Sequence, residues 1–143
     1  MISLLYRIAD AARNRHRARR STPEQAHGRR GEDLAHRFLR RQGLNIVARN
    51  YRQRSGSGEL DIVAWDREML VFVEVKARSS AGFGSPDRAV GLDKERDIRR
   101  AAGEYLRRTG ATWDHARFDL VNIILTEPPE IEWVKDALPV RRL

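Results

Sequence analysis

An acidic and a basic side chain share one face of the segment Val71–Lys76, which reads Val-Phe-Val-Glu-Val-Lys. In a strand, alternation places Phe72, Glu74 and Lys76 on one face and the three valines on the other. A carboxylate and an ammonium on the same face form either an ordinary surface ion pair or part of a chemical site. The strand is strongly hydrophobic, as buried strands typically are. This favours a chemical site over a surface ion pair.

A second carboxylate is expected beside Glu74. If Asp66–Met69 forms the turn of a hairpin, Trp65 pairs with Leu70. Counting back along both strands, Asp61 then pairs with Glu74. A slip of one residue would send Asp61 to the opposite face, so the interpretation depends on this register. The alternative is that Asp61 only ends a strand.

Two adjacent carboxylates repel each other, so either one of them takes up a proton or a cation joins them. Mg²⁺ is the hard cation expected between such oxygen ligands, Mn²⁺ is a substitute, and the carbonyl oxygen of Val75 is placed to complete the coordination. Lys76 would orient or polarise an attacking water and neutralise charge on a phosphoryl group. Of the 28 basic residues only three are lysine, and a compact ammonium suits this site better than a guanidinium fork.

The elements that must position these residues follow from the spacing of the apolar residues. The sequence predicts helices over Pro23–Gln42 and Asp93–Arg108, and strands over Leu44–Tyr51, Glu59–Trp65, Leu70–Lys76, Arg117–Thr126 and Glu130–Lys135. Gly43 and Gly110 are placed to end the two helices, and Ala77–Pro86 is expected to be a loop. The predicted order is therefore α-β-β-β-α-β-β.

The first predicted helix carries two neighbouring acids. At about 100° per residue, Glu32 lies on the flank of the apolar stripe that includes Leu39, whereas Asp33 points almost opposite. Glu32 is therefore predicted to face the rest of the domain and Asp33 to face water.

Further charged residues are secondary candidates. Arg52 and Arg54 lie just before a flexible Ser-Gly-Ser-Gly connection that would either follow a phosphate backbone or simply join two strands. Lys94 leans toward the apolar face of the second helix, where it would reach the site or a nucleic-acid backbone; the alternative is a solvated helix surface. Asp119 is interpreted as the buried partner of an arginine.

The net charge of +8 is unevenly distributed. Residues 1–30 contain eight arginines against Asp10 and Glu24, so they carry +6 and leave +2 for residues 31–143. A basic run attracts nucleic-acid phosphates through counterion release, although a solvated tail has the same composition. We assign residues 1–27 to a basic N-terminal arm, helical or disordered, and residues 28–143 to one domain.

Composition excludes several classes of site. The chain has no cysteine, which excludes disulfides, thiolate zinc sites and cysteine nucleophiles, and its four histidines lack the spacing of a zinc site. No stretch approaches the roughly 20 apolar residues of a membrane span. We therefore expect a cytoplasmic protein without a membrane partner, although the arm also has the composition of an organellar transit peptide.

Four segments together resemble the uncharacterised YraN-like bacterial family: Gly31-Glu32, Gly58–Val63, Val71–Arg78 and Arg117–Asp119. The resemblance covers roughly Gly28 to Leu125. That family is identified as a member of the PD-(D/E)xK, restriction-endonuclease-like superfamily and is similar to archaeal Holliday junction resolvases. The resemblance implies an α/β fold with an αβββαβ core, in which helices flank a mixed sheet.

By this resemblance, Asp61, Glu74 and Lys76 take the places of the superfamily's metal and catalytic triad, and Glu32 takes that of the first-helix glutamate of resolvases. The implied function is a Mg²⁺-dependent endonuclease that acts on DNA phosphodiesters, including branched or recombination intermediates, as a homodimer. The alternative is a noncatalytic nucleic-acid-binding or adaptor module on a nuclease scaffold. A third interpretation treats the acidic cluster as purely structural and the arm as a protein-interaction tail.

Overall fold

The computed structural model describes residues 23–79 and 91–140. It contains helices α1 (Pro23–Arg41) and α2 (Leu92–Thr109), strands β1 (Asn45–Arg52), β2 (Glu59–Asp66), β3 (Met69–Arg78), β4 (Ala116–Ile124) and β5 (Glu130–Leu138), and a 3₁₀ turn at Trp113–His115. The predicted order of elements is confirmed. Of the predicted N-terminal arm, the described residues include only the part from Pro23 onward, which begins α1.

The five strands form one mixed sheet in the order β1-β2-β3-β4-β5. The pairs β1–β2, β2–β3 and β4–β5 are antiparallel, whereas the pair β3–β4 is parallel. The parallel pair requires a crossover, and α2 lies in that connection. The chain therefore has the predicted mixed α/β fold, consistent with an αβββαβ-type core.

Each helix covers one face of the sheet, because β2 and β3 are apolar on both faces. One buried cluster lies between the sheet and α1 and includes Ala35, Leu39, Ile62, Val71, Val73 and Val121. The other lies between the sheet and α2 and includes Val63, Phe72, Ile98, Ala102, Leu106 and Phe118. Phe72 thus lies on the opposite face of β3 from Val71 and Val73, and the predicted alternation is confirmed. Among the described residues, neither helix is long and apolar enough to cross a membrane.

The β2–β3 hairpin has the register on which the site depends. Trp65 pairs with Leu70 as predicted, and Ile62 pairs with Val73. Because Asp66 also pairs with Met69, the loop between the strands is only Arg67-Glu68, and Arg67 adopts a positive φ of 55°. Short hairpin loops that adopt positive φ match the twist of the strands that they join.

The end of β3 differs from the prediction. Ala77 and Arg78 were expected in a loop, but they continue the strand and pair with Ile123 and Ile124 of β4. The parallel strand β4 supplies backbone hydrogen bonds to these residues. The hydrophobic alternation of β3 alone does not predict these hydrogen bonds. The remainder of the predicted loop falls largely on residues 80–90, which lie outside the described part of the chain.

Asp119 stabilises the pairing of β4 with β5. Its carboxylate is 2% exposed and accepts hydrogen bonds from Arg117 Nε at 2.8 Å, Trp133 Nε1 at 2.9 Å and the Asp136 backbone N–H at 2.9 Å. The register between β4 and β5 shifts at this position. The prediction of a buried partner for an arginine is confirmed, and the contacts give Asp119 a structural role.

The helix α1 approaches β3 most closely at Gly31, immediately before Glu32. A Cβ built on Gly31 would overlap the Cβ of Ala77, whereas a Cβ built on Gly28 would meet no atom within 4 Å. Because Gly31 has no Cβ, α1 can pack close to the sheet. This close packing sets the position of Glu32.

We predict that Gly31→Ala lowers the free energy of unfolding by about 1–3 kcal/mol, because an added methyl group must push α1 away from β3. The matched control is Gly28→Ala in the same helix, which should be neutral or add up to about 1 kcal/mol through helix propensity. Urea denaturation of the two variants checks this. Equal stabilisation by both would contradict the close packing at Gly31.

Candidate active site

Two carboxyl groups meet where β2 and β3 lie side by side. Asp61 is 8% exposed and Glu74 is 9% exposed. The Val75 backbone N–H donates to Asp61 Oδ2 at 2.8 Å, and the Asp61 and Glu74 side chains lie within hydrogen-bonding reach of each other. The hairpin register thus brings the two acids together, as the sequence predicted.

The closeness and burial of this pair change its protonation. Burial raises the pKa of Glu74, the Asp61 carboxylate raises it further, and the result is a pKa of about 8. Burial also raises the pKa of Asp61, although hydrogen bonds from Val75 and Glu74 oppose that rise. In the absence of a further cation, a proton therefore remains on the pair at neutral pH.

The two oxygens of Glu74 have different surroundings. Oε1 faces Lys94, whose Nζ lies 3.4 Å away. Oε2 is buried and has no hydrogen-bond partner within the described ranges. A buried carboxylate oxygen without a donor is costly, so this atom marks an acceptor position that a proton or a cation would fill.

Lys94 lies in the first turn of α2, on the sheet face shared by Phe72 and Glu74. Burial alone would lower the pKa of Lys94, but the Glu74 and Asp61 carboxylates more than offset this and raise it. The predicted lean of Lys94 toward the apolar face therefore brings its ammonium to the carboxylate pair.

Glu32 joins the same group from α1. Its side chain is 17% exposed, and burial, followed by the charge of Asp61, raises its pKa to about 7. Arg49 Nη2 lies 3.7 Å from Glu32 Oε2, and the Asn50 side chain makes a hydrogen bond to Glu32. The structure thus places Glu32 facing the domain, as predicted.

The prediction that Asp33 faces water is wrong. Its Oδ1 lies 2.9 Å from Nη2 of Arg49, and its side chain is only 34% exposed. Arg49 lies on β1 and reaches both Glu32 and Asp33 of α1. A contact between two elements distant in sequence leaves no trace in helical periodicity. Asp33 therefore anchors the arginine that also contacts Glu32.

The other predicted residues lie at different distances from the pair. Lys76 is half-buried on β3, two residues beyond Glu74, so strand alternation places it on the same face. Arg52 and Arg54 are exposed at and just after the end of β1. No ion pair between described residues joins either arginine to the carboxylates. Val75 contributes its N–H to Asp61.

One buried acid was missed by the sequence analysis. Glu104 of α2 accepts hydrogen bonds from the Tyr51 hydroxyl at 2.7 Å and from the Arg54 backbone N–H at 3.1 Å. The hydrogen bond from Tyr51 is the largest of the effects that lower the pKa of Glu104. Glu104 thereby fastens the start of the β1–β2 connection to α2, a role that an isolated glutamate on a helix does not indicate.

The carboxylate cluster lies within a region that this chain shares with other known proteins. The family model described as "Uncharacterised protein family UPF0102" matches residues 31–123, which include Glu32, Asp61, Glu74, Lys76 and Lys94. The chain belongs to this family.

Relatives in the family cover most of the chain. A UPF0102 protein of Solibacter usitatus is 53% identical over 137 residues, which are 96% of this chain and 99% of the relative. A UPF0102 protein of Rhodococcus jostii is 48% identical over 112 residues, or 77% and 93% of the two chains. A UPF0102 protein of Geobacter sulfurreducens is 47% identical over 112 residues, or 77% and 86%. The cluster thus belongs to a chain that matches these family members over most of their length.

Whether the cluster fits a metal ion depends on the ion. Within residues 23–79 and 91–140, no group of three or more His, Cys, Asp or Glu side chains is arranged as a ready metal cage. Mg²⁺ does not need one, because it keeps several waters and is held by one or two carboxylates. Asp61 and Glu74, with the buried Oε2 of Glu74 lacking a hydrogen-bond partner among the described residues, fit this requirement.

We predict that Glu74→Gln stabilises the metal-free protein, and increasingly so as pH rises. In the wild type, folding holds a proton on Glu74 up to a pKa of about 8, against 4.5 for an ordinary glutamate. Stability from this group is therefore fully present below the lower value and is lost as pH rises through the upper one. Glutamine has no charge to bury, so the advantage of the variant should grow by about 2 kcal/mol, roughly 4–8 °C in Tm, between about pH 5 and pH 8.5.

Thermal unfolding in EDTA at both pH values measures this difference. The matched control is Glu68→Gln in the exposed hairpin turn, for which the difference from wild type should not change with pH. A constant difference for Glu74→Gln would show that the carboxylate is not destabilised by its surroundings.

Proposed function

We propose that this protein is a Mg²⁺-dependent endonuclease that hydrolyses phosphodiester bonds in DNA and belongs to the PD-(D/E)xK superfamily. Asp61, Glu74 and Lys76 take the places of the triad, and Glu32 supplies the further acid. The observation that carries the proposal is the buried, unpartnered Oε2 of Glu74 beside the Asp61 carboxylate. Its position on a hairpin within an αβββαβ-type fold supports the proposal further.

A purely structural role accounts poorly for this arrangement. Burial raises the pKa of Asp61, Glu74 and Glu32, and repulsion by the charge of Asp61 adds to the rise in Glu74 and Glu32. Apolar residues of similar size would remove this repulsion and pack at least as well. Clusters of acids with strongly perturbed pKa values are instead typical of functional sites.

Each residue of the proposed site would have its own role in phosphodiester hydrolysis. Asp61 and Glu74 would hold Mg²⁺, with the Val75 carbonyl as a third oxygen, and Mn²⁺ would substitute. When bound, the ion would activate a water and stabilise charge on the phosphoryl oxygens. Lys76 lies two residues beyond Glu74 on β3, and therefore on the same face of the strand. There its ammonium would orient the water and neutralise the negative charge that develops on the phosphoryl group.

The substrate is proposed to be DNA, bound mainly through its phosphates. Arg52 and Arg54 are exposed beside the β1–β2 connection, and the chain carries a net charge of +8. Arginines so placed would contact the backbone of a strand whose scissile phosphate lies at the carboxylates. By similarity to resolvases, we propose branched or recombination intermediates as substrates and a homodimer as the acting form.

We predict that Asp61→Asn lowers the rate of Mg²⁺-dependent cleavage by at least about 100-fold, because the amide cannot replace a carboxylate as a metal ligand. DNA affinity in EDTA should stay within about threefold of wild type, since phosphate contacts do not involve Asp61. The assay uses four-way, flapped, linear duplex and single-stranded DNA. Asp114→Asn, a substitution in the exposed 3₁₀ turn, is the matched control and should cleave normally.

Undiminished cleavage by Asp61→Asn would refute the assigned roles. If the wild type binds DNA but cleaves none of the four substrates with Mg²⁺ or Mn²⁺, the noncatalytic nucleic-acid-binding or adaptor module replaces the nuclease as the function.

A further inference from the structure

Lys94 brings an ammonium group to the carboxylate pair. Its Nζ lies 3.4 Å from Glu74 Oε1, and the Lys94 side chain is 47% exposed whereas that of Glu74 is 10% exposed. The ammonium thus enters the cluster from the solvent side on a flexible stem, while the carboxylate stays inside.

The stability of α2 does not explain why a lysine stands at this position. Lys94 is the third residue of the helix, where the positive end of the helix dipole disfavours a cation. Its neighbours Asp93 and Glu95 have the charge that the first turn favours. The contact with Glu74 is therefore the interaction that accounts for a cation here.

Lys94 neutralises the pair only in part. It contacts Oε1 of Glu74, whereas Oε2 has no hydrogen-bond partner within the described residues, and the charges of Asp61 and Glu59 also act on the ammonium. A divalent cation between Asp61 and Glu74 would satisfy Oε2 and supply twice the charge. It would also repel an ammonium held a few ångströms away.

The first turn of α2 has few buried contacts among the described residues, which gives Lys94 freedom to move. Residues 91–94 are all exposed, Leu92 is 76% exposed, and Gly91 gives the helix no side-chain cap. Segments with so few buried contacts open or shift at little cost in free energy. Lys94 can therefore leave Glu74 without disturbing Ile98 and the packed part of the helix.

We propose that Lys94 is the internal counter-ion of the metal-free site, that a divalent cation displaces it from Glu74, and that the released ammonium then contacts a phosphate of the DNA. This inference rests on the proposed function and adds a coupling to it: metal binding would make one more cation available to the substrate. Lys94 is thus a positioning residue in the free protein and a substrate contact in the loaded one.

Calorimetric titration with Mn²⁺ tests the displacement directly. Lys94→Met should bind Mn²⁺ about fivefold or more tightly than wild type, because the competing charge is gone. Lys94→Arg keeps the charge and should stay within about twofold of wild type. The matched control is Lys135→Met, whose ammonium lies over the Trp133 ring at 4.4 Å, and it should also bind like wild type. Circular dichroism establishes that each variant is folded.

Unchanged or weaker Mn²⁺ binding by folded Lys94→Met, with normal binding by the wild type, would overturn the displacement and leave the proposed nuclease intact. Absence of Mn²⁺ binding in both proteins would overturn the displacement and the proposed metal site together. Binding by Lys94→Met alone would support the displacement in its strongest form.

DNA binding tests the second half of the inference, with Ca²⁺ as the divalent probe. In EDTA, Lys94→Met and wild type should bind a duplex within about twofold of each other, because Lys94 is occupied by Glu74. In Ca²⁺, the wild type should bind about threefold or more tightly than the variant, since one phosphate contact has been gained. The same ratio in both buffers would contradict release of Lys94 to the substrate.

Discussion

The two-residue loop at Arg67-Glu68 fixes the register of β2 against β3, and this register brings Asp61 and Glu74 together. A strand presents alternate residues to opposite faces, so a slip of one position would move Asp61 to the α1 side of the sheet. The flanking valines and isoleucine prevent such a slip because they must stay buried between the sheet and the helices. The proposed chemistry of the site thus depends on a hairpin whose register is fixed by a short loop and maintained by hydrophobic burial.

Helices and a connecting loop complete the site around this pair. Gly31 lets α1 pack against the end of β3 and so sets the position of Glu32, and Arg49 contacts Glu32 from β1. On the other face, α2 supplies Lys94, and Glu104 ties the loop after β1 to the same helix. Burial holds a proton on Glu74 up to its pKa of about 8, and loss of this proton at higher pH destabilises the folded protein. This is the balance expected of a site built to receive a cation.

Sequence predicted the elements well because apolar periodicity reports burial. The two glycines that end the helices, the strands of the hairpin and the pairing of Trp65 with Leu70 follow from local patterns. Asp33 was misassigned because Arg49, its partner, lies on another element. Glu104 was missed for the same reason, since its partners Tyr51 and Arg54 lie in and just after β1. Contacts between distant polar residues are set by the tertiary fold and leave no periodic signal.

Anomalous diffraction from a crystal soaked in Mn²⁺ tests the central claim, that Asp61 and Glu74 form a divalent-cation site. The account predicts one strong anomalous peak about 2.2 Å from a carboxylate oxygen of each residue, a distance typical of hard cations with oxygen ligands. The same soak of a Glu74→Gln crystal should lose the peak. A Mn²⁺ ion bound elsewhere, or a well-ordered Asp61–Glu74 pair that stays free of metal at saturating Mn²⁺, would contradict it.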